Sequence, residues 1–380
     1  MEKIYVDHAA TTPLDNEILE KMLPYFTERY GNADSPHALG RKAMSAVDSA
    51  RDLVAELLNA KPNEIYFTSG GTESDNWAIL GGAYAARERG RDQVIVSAIE
   101  HHAALAAAER LEKEGFVVCY LPVNEGGRVE LNALKDMISE RTGLIAVMAA
   151  NNETGAVQPI KELAEIAHEY GAVFFTDAVQ AAPHMPIDVK AWGVDMLALS
   201  AHKFYGPKGC GVLYVKNGVK IKALLSGGEQ ERGLRGGTTN VPAVVGLAAA
   251  LKKNEGGRSA TNEKMKALRE LYLSEISGLD GVHVYGGAEG DIPAVLCVRF
   301  EGVSGVDLVY NMDLNGVCIS AGAACASASV KPSHVLMAMG LNEAEARECV
   351  RISFGKNNTE EEIREAAACT VALVRKLRKK

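Results

Sequence analysis

Two side chains carry the strongest chemical signal in the chain. Lys203 stands in Ser200-Ala-His-Lys-Phe-Tyr-Gly-Pro-Lys-Gly209, directly after the apolar run Met196-Leu-Ala-Leu199, which reads as a buried strand. A lysine at the carboxyl end of a parallel strand lies where α/β sheets place their ligands. It is a useful nucleophile only when desolvation or nearby cations deprotonate its ammonium. Asp177 stands in Thr176-Asp-Ala-Val-Gln180, again just past an apolar run. A carboxylate that ends a hydrophobic strand needs a cationic or protonated partner, or its desolvation is expensive. Such a pair is what pyridoxal phosphate requires: an acid that keeps the pyridine nitrogen protonated, and an amine that holds the aldehyde as a Schiff base.

Other loops add to the pair. Thr68-Ser-Gly-Gly-Thr-Glu-Ser-Asp-Asn76 leaves a strand and opens a helix, so its backbone N–H groups and helix dipole form an anion cradle. Neither the P-loop spacing nor GxGxxG is present, which weakens ATP and NAD readings. His101 in Ser97-Ala-Ile-Glu-His-His-Ala103 could stack on a flat ring or shuttle protons, and His102 is read as structural. Asn151-Asn152 follows the Ile145-Ala-Val strand and offers amides at the same edge. Five loops therefore leave predicted strands in one sense and point to one site. Further on, Cys325 sits among Ala, Gly and Ser in the run 320–330, which suits an accessible thiol rather than a packed one. Arg351 in Cys349-Val-Arg-Ile-Ser353 suits bidentate recognition of a carboxylate.

The elements that must hold these residues are short apolar runs alternating with amphipathic stretches. Runs at 64–68, 93–97, 116–120, 144–148, 172–176 and 195–199 read as strands buried on both faces, which predicts a largely parallel sheet covered by helices. Gly211-Val-Leu-Tyr-Val215 is expected to run back. The texture changes near Val241. A helix from Pro242 towards Asn254, a polar break at 255–262 containing Gly256-Gly257, and a further helix at 264–277 are expected, then strands at 294–300 and 316–320 and helices at 333–339 and 360–380. The fold class is thus α/β, a large lobe of mostly parallel sheet flanked by helices plus a smaller α+β lobe. Residues 15–255 are assigned to the large domain, and 1–14 with 256–380 to the small one.

Composition narrows the function. The 380 residues are 47% hydrophobic and 24% charged, ordinary values for a well-cored protein. A net charge of −8 excludes a strongly basic surface, so direct nucleic-acid binding is not expected. No apolar stretch approaches the ~18 residues of a membrane span, and the acidic, strand-like start is unlike a secretory signal, so a cytoplasmic location is expected. The 7 cysteines include no CxxC pair, which argues against a zinc ribbon or a disulfide framework and leaves no structural metal site expected.

In order, these motifs resemble the NifS/IscS-type cysteine desulfurases, class V aminotransferase-like enzymes of PLP fold-type I. The resemblance runs from Tyr5-Val-Asp-His-Ala-Ala-Thr-Thr-Pro13 through Tyr30-Gly-Asn32, Gly70-Gly-Thr-Glu-Ser74, Glu100-His-His102, Asn151-Asn-Glu-Thr-Gly155, Asp177-Ala-Val-Gln180 and Ser200-Ala-His-Lys203. It continues through Gly227-Gly-Glu-Gln-Glu-Arg-Gly-Leu-Arg-Gly-Gly-Thr238 and the cysteine run to Val350-Arg-Ile-Ser353. It implies Lys203 as the Schiff-base lysine, Asp177 at the ring nitrogen, Gln180 at the ring hydroxyl and His101 stacked on the ring. It also implies Gly71, Thr72, Ser200 and His202 at the phosphate, with Thr238 reaching across a homodimer. Asn152 and Arg351, with Asn32, would grip the carboxylate of L-cysteine. Cys325 would accept the sulfur, pass it to an acceptor protein such as an iron–sulfur scaffold or tRNA thiolase, and transiently ligate an iron–sulfur cluster. The run after Cys325 resembles the group serving iron–sulfur assembly and tRNA thiolation. Arg235-Gly-Gly-Thr238 departs from the usual Ser before Gly, and Thr239 follows at once, so either threonine is a candidate for the phosphate. A selenocysteine lyase or an aminotransferase of the same class is the alternative. Neither needs the Cys325 thiol.

Overall fold

The computed structural model describes residues 3–321 and 331–379. Twelve strands are named here in chain order: β1 (Ile4–Tyr5), β2 (Ile65–Thr68), β3 (Gln93–Ser97), β4 (Val117–Leu121), β5 (Thr142–Ala146), β6 (Val173–Asp177), β7 (Met196–Ser200), β8 (Gly211–Val215), β9 (Val282–Tyr285), β10 (Val295–Phe300), β11 (Val317–Cys318) and β12 (Cys349–Ser353). Strands β2 to β8 form a seven-stranded sheet in the order β2-β8-β7-β6-β5-β3-β4. The β4-β3-β5-β6-β7 neighbours are parallel, whereas β8 is antiparallel to both β7 and β2. β2 therefore runs in the same sense as β3, β5, β6 and β7, and the carboxyl ends of all five open on one edge.

The apolar runs form these strands because β2, β3, β5, β7 and β8 are buried along their whole length. β4 differs. It is the edge of the sheet, and Val117 and Tyr120 are exposed, so its apolar run is only partly covered. β5 ends two residues earlier than its apolar run. The run still follows the sheet, with Val147 N donating to Phe175 O at 3.1 Å and Ala149 N to Asp177 O at 2.8 Å.

A second, antiparallel sheet has the order β12-β10-β9, and β1 pairs in parallel with β11 beside it. The expected break at 255–262 does not occur. Val241–Ile276 is one helix of 36 residues. Gly256 and Gly257 each cost a helix ~1 kcal/mol relative to Ala. The same polar stretch supplies compensating contacts, since Asn254 Nδ2 donates to Ala182 O and Pro183 O and Asn262 Nδ2 donates to His184 O. Apolar faces on both sides of the stretch, Val244 to Leu251 and Met265 to Ile276, are buried and carry the helix across it. Among the described residues no helix is long and apolar enough to cross a membrane.

Candidate active site

The five loops at the sheet edge enclose a cavity of about 280 Å³ lined by Gly71, Thr72, His101, Asp177, Gln180 and Lys203, with Asn152, Ser200, His202 and Arg351 on its wall. Its dimensions sit just below the ~300–1,000 Å³ of ordinary cofactor sites. The turn out of β2 needs its glycine. Gly70 has φ +148°, outside the range of ordinary side chains, and Gly71 then starts the helix Gly71–Asn76. A Cβ on Gly211, in the neighbouring β8, would lie only 2.7 Å from Gly70 Cα.

Lys203 ends the short turn Ala201–Lys203 that follows β7. Its Nζ donates to Ala9 O at 2.6 Å and Ala10 O at 2.9 Å. The same segment is stitched to the site by Gln180 Nε2 on Ala9 O, by His202 Nδ1 and Thr11 Oγ1 3.0 Å apart, and by Thr12 Oγ1 on His202 O. The motif Asp7-His-Ala-Ala-Thr-Thr12 is thus a wall of the site. Its sequence gave no chemical hint of that, because carbonyl oxygens do the holding.

Asp177 closes β6 and is buried, with Oδ1 accepting from Val179 N at 2.8 Å. Burial raises its pKa to about 6, against the pull of that N–H and of Lys203. His101 caps the helix His102–Lys113, its Nδ1 accepting from Ala103 N, so in the neutral ring the proton is on Nε2. Burial, helped by Lys203, His102 and His334, lowers its pKa to about 4. His202 is likewise lowered to about 4 by burial, then Lys203 and Lys208. His101 and His202 are therefore neutral imidazoles in the cavity at neutral pH. His102 also lines the cavity, its ring 4.7 Å from that of His334.

Arg351 arrives from the other sheet, on β12, and is 3% exposed. Its Nη2 donates to Asp7 Oδ1 at 2.8 Å and Nη1 to Asn152 O at 3.0 Å, while the buried Nε has no hydrogen-bond partner. A buried guanidinium edge beside a cavity awaits an anion. The backbone of Ser320 bridges that of Arg351, Ser333 Oγ donates to Glu153 Oε2 at 2.5 Å, and His334 Nε2 lies 2.9 Å from Glu100 O. Both flanks of the segment 322–330 are therefore fixed near the cavity. Cys325 lies outside the described residues.

Two candidates are not in this cavity. Asn32 is exposed and its Oδ1 accepts from Asp34 N. Thr238 is exposed at the end of a loop tied down by the ion pairs Arg51–Glu231 and Arg235–Glu73, at 2.7 and 2.8 Å. Thr239 is half-buried and accepts from Val241 N. Asp7, Glu100 and Glu153 were not singled out from sequence, and the partners of Asp7 and Glu153, Arg351 and Ser333, are remote in the chain.

Pyridoxal phosphate fits the residues present. A buried carboxylate meets a ring nitrogen, a lysine amine meets an aldehyde, and the helix start at Gly71 with Thr72, Ser200 and His202 offers donors to a phosphate. The fold and this donor set define a pyridoxal-phosphate enzyme. The chain belongs to the aminotransferase class-V family, whose model matches residues 4–365. It is 47% identical over 365 residues to the cysteine desulfurase IscS of Clostridium botulinum, covering 95% of this chain and 92% of that one. Among solved structures, a NifS-like protein superposes with TM-score 0.92 at 36% identity, covering 98% of this chain and 99% of the other. SspA in complex with cysteine gives TM-score 0.83, also at 36%, covering 93% and 99%.

Proposed function

We propose that the chain is an L-cysteine desulfurase, which removes sulfur from L-cysteine to give L-alanine and carries it as a persulfide on Cys325. The observation that carries this reading is the meeting of Arg351 with Lys203 and Asp177 around one cavity, at whose rim both flanks of the Cys325 segment are fixed. When bound, pyridoxal phosphate supplies an aldehyde for the substrate amine and an electron-withdrawing ring.

The chain's own residues do the rest. Lys203 would hold the aldehyde before substrate arrives, and Asp177 would keep the ring nitrogen positive. Gln180 would meet the ring hydroxyl, while Gly71, Thr72, Ser200 and His202 would hold the phosphate. His101 would serve the ring, and its neutral imidazole can take or return a proton. Arg351 and Asn152 grip the substrate carboxylate, which fixes the direction of the Cβ–S bond. The Cys325 thiolate attacks the substrate sulfur. The C–S electron pair stays with carbon, which is protonated to alanine, and the new S–S bond holds the sulfur. None of the six described cysteines lines the cavity, and burial pushes Cys210 up to about 12, which supports Cys325 as the nucleophile.

The working form is a homodimer in the cytoplasm that hands its sulfur to an acceptor protein. Thr238 is exposed on a pre-fixed loop, and a groove of about 890 Å³ lies between the helices Ala38–Leu57 and Val241–Ile276 with Leu23, Phe26 and Tyr30 exposed on the neighbouring stretch. Such a surface suits a second copy, whose Thr238, and Asn32, would complete the site. The chain divides into a large domain, 15–255, and a small one, 1–14 with 256–380. Cys325→Ala tests the whole reading. It should keep the cofactor's absorbance and respond to L-cysteine, yet release alanine at only a trace rate. Undiminished alanine release would remove the thiol from the mechanism and favour a lyase.

A further inference from the structure

Asp75 is a charged residue type that this mechanism does not use. It lies on the helix Gly71–Asn76, lines the same cavity as Asp177, and is 1% exposed. Its Oδ1 is buried without a hydrogen-bond partner. Its neighbour Glu100 is fully buried as well. Glu100 Oε1 accepts from Ser97 Oγ and from Met148 N, both at 2.6 Å, and its Oε2 has no partner. Asp75 and Asp177 therefore line the cavity with the imidazoles of His101 and His102 and the amine of Lys203, and Glu100 is a third buried carboxyl group close enough to act on Asp75. An unpaired carboxylate so deep would cost several kcal/mol. Two of them side by side cannot both ionise.

We propose that Asp75 and Asp177 hold one proton between them, Asp75 being the neutral member, so that Asp75 is a positioning residue that sets the charge Asp177 offers to the ring nitrogen. Asp177 is the anion because it alone of the two accepts a backbone N–H and feels Lys203. Asp75 has neither. Burial, then repulsion from Asp177 and Glu100, moves its pKa well above the usual carboxylate range. Glu100 is raised to about 8 by burial and is neutral too at pH 7. The pair thus presents a single negative charge, which matches one protonated ring nitrogen. A second charge would overstabilise that proton and weaken the electron sink.

The proposal rests on the pyridoxal-phosphate reading, and its test separates the two. An infrared difference spectrum of wild type minus D75N, both cofactor-free full-length chains at neutral pH, should show a protonated-carboxyl stretch that D75N lacks, while the band of Glu100, kept by both, cancels. That arm needs no cofactor. In the loaded protein, D75N should leave the pH midpoint of the cofactor's absorbance within about 0.3 unit of wild type, because a neutral amide replaces a neutral acid. A carboxylate at Asp75 would instead give no lost band and a midpoint moved by about one unit or more in D75N, and either result overturns the proposal. If D75N does not fold, D75E is examined. It keeps the acid, so its protonated-carboxyl band should persist at a changed frequency, and its absence counts against the pair.

Discussion

Replacing Arg351 by lysine should damage substrate binding far more than the chemical step. The guanidinium has three sets of donors: Nη2 meets Asp7 at 2.8 Å, Nη1 meets Asn152 O at 3.0 Å, and the buried Nε has no hydrogen-bond partner. A lysine ammonium is a single point donor on a stem without the planar fork. It satisfies Asp7, the half-buried carboxylate at the closest of these contacts, and has nothing left for the substrate. The folded protein keeps its ion pair, so stability changes little. What goes is one charge-assisted hydrogen bond to a carboxylate, about 1.5–3 kcal/mol, which is roughly 10- to 150-fold in kcat/KM. Since the carboxylate is held equally before and during bond breaking, the loss should fall on KM. Alanine release against L-cysteine concentration measures both constants, and the cofactor's absorbance checks that the site is otherwise intact. A kcat/KM within threefold of wild type, or a loss confined to kcat, would refute this account of Arg351.

Lys203→Ala should lose turnover by orders of magnitude and alter the cofactor's absorbance; full activity would exclude the lysine's role. Mixed Lys203→Ala and Thr238→Ala subunits, each inactive alone, should regain part of the activity, because a Thr238→Ala site then receives Thr238 from its neighbour; a fully active monomer would contradict it. Gly70→Ala forces a side chain to φ +148° and should lower the stability of the cofactor-free protein by ~1–3 kcal/mol, read as a denaturant midpoint. His184 is held by Asn262 and burial lowers its pKa to about 4 from 6.5. The unfolded chain binds its proton first, so this contribution to stability is present above pH 6.5 and is lost as pH falls towards 4. His184→Asn should therefore remove up to ~3 kcal/mol of the stability lost between those limits. An unchanged acid slope would show that His184 is not neutral in the folded state.

The sheet was legible because burial on both faces writes continuous apolar runs, and its strand-end loops because Gly, Asp and Lys interrupt those runs abruptly. β4 was misread because an edge strand can be as apolar as a central one. The break predicted at 255–262 shows a limit of local propensity: two glycines were outweighed by packing at both ends and by Asn254 and Asn262, whose partners are remote in sequence. Lys203 and Asp177 could be found because strand ends are informative positions. Asp7 could not, since its partner Arg351 is 344 residues away. Carbonyl oxygens such as that of Ala9 carry no side-chain signature at all.

The most direct test of the account follows the sulfur. The purified protein, loaded with pyridoxal phosphate, is given L-cysteine without reductant, and its peptides are mapped by mass spectrometry while alanine is counted. The account predicts one persulfide on the peptide carrying Cys325 for each alanine of the first turnover. Alanine without that persulfide, or the sulfur on Cys210 or Cys318, would contradict it.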